Sequence, residues 1–432
     1  MKRKFLTLIF LLAIFSTKGQ SIFDTLTYQE KIDGISKIWK EASYNFVFFD
    51  KLNINWDSAF YQYLPKALNT KNVYEYYTVL SEFASLLKDG HTSIMRTDYF
   101  YKNLGGVPIN FERFGNGNFV TSIDERLLKE IPIGTEILAI NDMPVDSFLS
   151  SGNSLSGLKG TELSFTFKSR DNKVYSKTIQ RVAGKDPVTY FPPFTWAPFQ
   201  SKKIDKEGFY VKLDTFDDST VIGEFESVLP EIQKSKFLII DIRNNGGGND
   251  DYARKIAEHL VDKNYTISSA WKTRINNSAK KAWGSLILFG NKSEETISNQ
   301  NYYTDNAWET HEGDTVYVPK DVQKVKIPIV ILISKNTFSA AEDFLIYLDG
   351  SKNITTIGHT TAGSSGQPLF INLPKGITAR VCAKRDTYPD GKEFINIGIK
   401  PDIPVEKNIN DFRKNIDTEL QYAITYLKTN RR

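Results

Sequence analysis

Apolar and polar positions recur along this chain with three different periods, and the changes of period divide it. From 24 to 88 the spacing is helical: Trp56, Phe60 and Leu64 form one stripe, and Tyr77, Leu80, Ala84 and Leu87 form another, widened by Val73, Tyr76 and Phe83. Asn55 or Asp57 stands where the earlier helix would be capped, and Gly90 where the later one would stop. A small helical bundle is predicted. From 104 to about 182 the period shortens. Phe119–Ile123 reads as a strand, Leu127–Glu130 as a short helix, and Leu163–Lys168 with Val174–Ile179 as a hairpin turned at Asp171-Asn172. From 186 to 430 apolar runs alternate with amphipathic stretches. Phe209–Leu213, Phe237–Ile242, Ile327–Ile333 and Ile354–Gly358 read as strands; Val221–Lys234, Asp251–Val261 and Ala340–Leu348 read as helices. Unbroken apolar runs suit strands covered on both faces, so an α/β core is predicted here. Residues 271–320 are polar and aromatic without a readable period; a flap over a site is the expectation there.

The first 20 residues stand apart. Lys2, Arg3 and Lys4 precede the apolar run Phe5–Phe15, followed by Ser16, Thr17 and Gly19. That is the layout of a secretory signal peptide, and the run is short for a membrane span. The expected location is therefore periplasmic or secreted, with no stable membrane span after cleavage. The remainder divides into a helical domain at 21–98, a β-rich domain at 103–183 and an α/β core at 186–430. A chain of 432 residues is too long for one ordinary core. Hydrophobic content of 40%, charged content of 25% and a net charge of +4 describe a soluble protein without the basic surface of a nucleic-acid binder. The single cysteine, Cys382, allows no internal disulfide and no zinc cluster. It alternates within Ile377–Cys382 and reads as core.

Three short segments carry the candidate chemistry. Lys88-Asp89-Gly90-His91-Thr92-Ser93 offers a histidine. Asp241-Ile242-Arg243-Asn244-Asn245-Gly246-Gly247-Gly248 offers a glycine-rich turn after an apolar strand. Asn336-Thr337-Phe338-Ser339-Ala340-Ala341-Glu342 offers a serine where a strand gives way to a helix. Base, oxyanion donors and nucleophile are the parts of an acyl-transfer site. Each also has a plainer reading: Ser339 and Glu342 fit a capping box, and the glycines fit a tight turn. The glycine run lacks the Gly-Lys-Ser/Thr ending of a phosphate loop. His259, His311 and His359 lie outside these segments.

In order and in residue type the segments resemble those of the C-terminal-processing (tail-specific) serine peptidases, in the histidine-using branch that includes the tricorn protease core. The resemblance implies a ClpP/crotonase-like spiral core. The stretch around Ile133–Val145 resembles a PDZ domain, which would be an insertion between helical domain and core. It also implies Ser339 as nucleophile, His91 as general base, Gly247 and then Gly246 as oxyanion donors with the N–H of Ala340, and Asp241, Arg243 and Asn245 as bracing. No metal or organic cofactor is implied. The expected activity is endopeptidase action on peptides or unfolded proteins, with a free C-terminus as one means of recruitment; the oligomeric state is open. A peptide- or apolar-ligand-binding protein of the same fold, or a scaffolding protein, is the rival.

The sequence departs from the family in three places. Thr361-Ala362-Gly363 is followed by Ser364 and Ser365 where the tail-specific branch has its dyad lysine, so Lys352 and Lys375 are expected to be silent. Ile395 stands in the place of the histidine branch's glutamate, leaving Glu393, Asp386 or Asp390 as candidates to orient His91. Gly90 precedes His91 where the tricorn core has a serine. A neutral histidine base of ordinary pKa would place the rising limb of activity between about pH 6 and 7.5.

Overall fold

The computed structural model describes residues 21–430 except 152, 185, 194 and 195. The leader read at 1–20 lies outside the described residues. Among the described residues no helix is long and apolar enough to cross a membrane.

The helical stretch forms Tyr28–Asn45, Trp56–Leu68 and Val73–Ser85. Each has a side-chain cap at its start, Thr27, Asn55 and Asn72 respectively, satisfying an otherwise orphaned N–H. Most of the later stripe is buried: Val73, Tyr76, Leu80, Phe83, Ala84 and Leu87 face the interior, while Tyr77, Phe60 and Leu64 are only partly covered, and Trp56 stacks on Phe83 at 4.2 Å. Gly90 does not end the third helix. It stops at Ser85, and the left-handed residue after it is Lys88, with φ 48°.

The middle of the chain builds a seven-stranded sheet from Ile109–Phe114, Gly117–Asp124, Glu136–Ile140, Met143–Pro144, Glu162–Lys168, Val174–Gln180 and Tyr190–Phe191. The hairpin closes with Asn172 in the left-handed region, φ 65°. These strands enclose their own apolar cluster, in which Val120, Ile123, Ile137, Ile140, Phe165 and Phe167 are buried. Leu127–Glu130 yields only a 3-10 turn, Glu125–Leu127.

The remainder is a mixed α/β unit around a six-stranded sheet. Its order is Phe199–Ile204, Gly208–Leu213, Phe237–Asp241, Ile329–Ile333, Ile354–Gly358 and Ile403–Pro404. The first pair is antiparallel and the others parallel. Phe237–Asp241 and Ile329–Ile333 are buried at every residue. Alternate residues serve different cores. Leu238, Ile240, Ile329 and Ile331 join Phe225, Ile256 and Phe344 of the helices Thr220–Gln233, Asp250–Leu260 and Ala340–Tyr347. Ile239, Val330 and Leu332 meet Ala423 and Leu427 of Thr418–Thr429 on the opposite face. A strand apolar on both faces is what such a sandwich requires.

The stretch without a readable period folds as three strands, two α-helices and the 3-10 turn Leu286–Phe289. Ala270–Arg274 lies between Trp308–His311 and Arg385–Thr387 in a three-stranded sheet, and Ser278–Ser285 packs with Glu294–Tyr303. Cys382 is fully buried.

Candidate active site

Two parallel strands end side by side, and the loops that leave them are stapled together. Thr337 Oγ1 donates to the carbonyl of Ile242 (2.9 Å), Ser334 Oγ to that of Arg243 (2.6 Å), and the Phe338 N–H to that of Asn245 (3.0 Å). The turn after Ile329–Ile333 is thereby pinned to the glycine-rich turn. Ser339 caps the helix Ala340–Tyr347 with φ 57° and ψ −127°, a conformation rarely adopted by residues with a side chain. Its Oγ lies 3.1 Å from His91 Nε2.

His91 is 4% exposed, and its ring stacks on Phe338 at 4.8 Å. The other ring nitrogen, Nδ1, lies 2.9 Å from Ser364 Oγ. Burial is the main force on the imidazole, with the positive charges of Arg380 and Lys384 adding to it; together they lower its pKa to about 4. Glycine at position 90 has a steric reason. A Cβ there would lie 2.7 Å from Ser364 Oγ and 2.9 Å from the Phe338 ring.

None of the three candidate acids is the partner of the ring nitrogens. Glu393 pairs with Arg385 and with Lys51, and Asp386 pairs with Lys384 at 3.1 Å. Asp390 is exposed and takes the Lys392 N–H. Ser364, one of the two serines standing where a dyad lysine would be, occupies the position expected for a carboxylate. Its placement depends on Glu342, which is fully buried and accepts the Thr361 hydroxyl (2.5 Å), the N–H groups of Gly363 and Ser364 (2.8 Å each), and the Ser339 N–H (3.3 Å). Burial raises the pKa of Glu342, and those hydrogen bonds oppose the rise. The Ser339 N–H also donates to the Ser364 carbonyl at 3.0 Å. Glu342 thus ties the helix opened by Ser339 to the partner of His91. Sequence reasoning missed this role for Glu342 and for Ser364; the unfilled lysine place was the available signal.

The glycine-rich turn departs from expectation in one respect. Gly247 approaches Ser339 so closely that a Cβ would sit 2.7 Å from Ser339 Cβ, at a backbone φ of 94°. Yet its N–H, expected first as oxyanion donor, is given to Asn245 Oδ1 at 2.9 Å. Among the described residues no acceptor is found for the N–H of Gly246 or of Ala340, and Ala340 N lies 3.0 Å from that notional Gly247 Cβ.

Asp241 and Arg243 hold the end of the strand. Arg243 bonds both oxygens of Asp241 (3.0 and 2.6 Å), both of Asp417 (2.9 and 2.6 Å) and Glu419 (2.6 Å), while Tyr210 donates to Asp241 (2.8 Å). The other histidines are engaged elsewhere. His259 Nδ1 meets the Gln323 carbonyl, His311 stacks on Trp271, and His359 faces Glu419. Lys375 pairs with Glu30 at 3.1 Å. No cluster of three or more His, Cys, Asp and Glu side chains that could hold a metal occurs among the described residues.

Residues 209–405 match the peptidase family S41, and residues 36–85 match the tricorn protease C1 domain. The chain is 24% identical over 204 residues to the chloroplastic C-terminal processing peptidase of Tetradesmus obliquus, covering 46% of this chain and 35% of that protein. It is 22% identical over 419 residues to the carboxyl-terminal-processing protease of Picosynechococcus, covering 92% and 89%. The chain thus spans about a third of the first relative and most of the second. Mature CPAF shares the fold, with a TM-score of 0.70 at 15% identity, over 93% of this chain and 98% of that one.

Proposed function

We propose that this chain, whose residues 209–405 match peptidase family S41, is a serine peptidase that hydrolyses peptide bonds with Ser339 as nucleophile and His91 as general base. The observation that carries this reading is the 3.1 Å approach of Ser339 Oγ to His91 Nε2 at a strained strand-to-helix turn. His91 takes the Ser339 proton at Nε2 and later returns it to the leaving amine. For Nε2 to accept, the ring must carry its proton on Nδ1, where Ser364 Oγ is the acceptor. Ser364 is thus the positioning residue that fixes the tautomer. The backbone N–H groups of Ala340 and Gly246 are the oxyanion donors in this reading, each worth about 3–4 kcal/mol in transition-state stabilisation.

A base held at about 4 is free across the neutral range, but it forms a poorly stabilised imidazolium because no carboxylate backs it. Slow turnover is therefore expected. The same feature favours the rival reading, a peptide-binding protein with a vestigial site. A fluorophosphonate probe separates the two. Wild type should label and Ser339→Ala should not, and hydrolysis of an unfolded protein should fall by several orders of magnitude in Ser339→Ala and in His91→Ala. Loss of the Ser339 hydroxyl should scarcely affect folding. Wild type that neither labels nor cleaves would leave the binding reading.

The finer parts of the reading are proposals on the same footing. Residues 103–183 act as a PDZ-like module that recruits an extended peptide or a free C-terminus by strand addition; their separate apolar cluster supports this. The core is a ClpP/crotonase-like spiral, and the leader at 1–20 directs the protein to the periplasm or outside the cell.

A further inference from the structure

One half-buried acid beside the site takes no part in the mechanism above. Asp343 follows Glu342 on the first turn of the nucleophile's helix. Its Oδ1 accepts the Ser269 hydroxyl at 2.6 Å and its Oδ2 the Ser365 hydroxyl at 2.9 Å. Ser365 adjoins Ser364, whose Oγ meets His91. Ser269 leads directly into the strand Ala270–Arg274, whose Trp271 lies opposite Asp386 in the sheet. Three segments therefore meet on one carboxyl: the helix opened by Ser339, the loop that orients His91, and the strand that begins the aperiodic region.

We infer that Asp343 is a positioning residue for this site, holding Ser365, and through it Ser364, so that the hydroxyl of Ser364 stays on His91 Nδ1. The inference rests on the serine-peptidase reading above. Glu342 fixes the same loop by its backbone, and Asp343 fixes it by a side chain. The carboxylate form accepts both serine hydroxyls at once as charge-assisted bonds; the protonated form carries a donor of its own, which weakens or reverses one of the two. The ionised form is thus the one that holds the loop.

The surroundings make that ionisation costly. Burial raises the pKa of Asp343 well above the usual carboxylate range, and the charge of Asp386 adds to it. Lys384, paired with Asp386 at 3.1 Å, opposes the rise. Tyr347 on the same helix also faces Asp343, and Asp250 at the start of Asp250–Leu260 faces Lys384 and Asp386. Two acids and one lysine leave the group close to a proton's gain or loss. Activity should therefore rise with pH through an ionisation distinct from that of His91.

The test is a mutant cycle on the intact chain, read by peptide hydrolysis and by fluorophosphonate labelling. Asp343→Asn and Ser365→Ala should each lower kcat about tenfold with little change in KM, and the double variant should be no worse than either, because one contact is removed twice. Ser365→Thr, which keeps the hydroxyl, should restore most of the rate. Between about pH 5 and 8 the wild-type kcat should climb and that of Asp343→Asn should be flat. Should Asp343→Asn fail to fold, Ser365→Ala carries the same pH comparison. Additive losses, or a kcat profile for Asp343→Asn parallel to wild type, would overturn the inference. Wild type without labelling would instead remove the serine-peptidase reading itself.

Discussion

Two charge clusters lie beyond the ends of the six-stranded sheet, and they are built on opposite principles. Around Arg243, three carboxylates and a tyrosine hydroxyl converge on one guanidinium, whose planar fork engages Asp241 and Asp417 with two bonds each. Burial alone would push the pKa of Arg243 down and that of Asp417 up. Their mutual contacts win in both cases, so Arg243 is raised and Asp417 lowered. Around Asp343, two acids share one lysine, and burial wins: Asp343 and Asp386 are both raised. The number and shape of the donors differ between the two places. A fork that saturates its acids anchors a loop at any ordinary pH. A single ammonium beside two acids leaves one of them answering to the solvent proton.

The largest effect that could break this comparison is expected at Arg243. Replacement by Met would leave Asp241 and Glu419 buried, at 3% and 1% side-chain exposure, without their cation. Stability in urea should fall by about 3–5 kcal/mol, the usual result of removing one partner of a buried pair. A loss below about 1 kcal/mol would mean that the network is surplus to the fold.

The pH dependence of stability sharpens the contrast. With its pKa raised in the folded chain, Asp343 holds a proton that the unfolded chain has released. Its contribution is complete below the unfolded value near 3.9 and is lost as pH rises through the folded value. Unfolding free energy should therefore decline between about pH 5 and 8 in wild type and decline less in Asp343→Asn, with Asp386→Asn removing a further part. Equal slopes in all three would place the proton elsewhere.

The smallest effect concerns His91 itself. Its low value moves the rising limb from the range expected of an ordinary histidine to the acid side, near about 4. Ser364→Ala removes the acceptor on Nδ1. Turnover should fall about tenfold and the limb should move lower still, whereas Ser364→Asp should move it up by placing a carboxylate on the imidazolium. Limbs that stay in place in both variants would detach Ser364 from the base.

How much of this could be read from the chain depends on the range of the interaction concerned. Phe237–Ile242 and Ile327–Ile333 declare themselves as buried strands because all their positions but Asp241 are apolar, and Val73, Tyr76, Leu80 and Ala84 declare a helix face because the backbone repeats at their spacing. Ser339, His91 and the glycine turn stand out because the chemistry needs those residue types at those local turns. The aperiodic stretch 271–320 gave no such signal. Its strands are short and partly or largely exposed, and its helices pack chiefly on each other. Only the tertiary structure decided which groups pair. Ser364 reaches His91 across 273 residues. Glu393 and Asp386 were reasonable acids by position, but the fold pairs them with Arg385 and Lys384 and sets Ser364 against the His91 ring. The Gly247 N–H was claimed by a side chain two residues before it. Local period and residue type determine elements and candidates; the partner of a buried polar group is set by whichever donor or acceptor the fold brings within reach, because leaving that group unpaired costs more than choosing an unexpected partner.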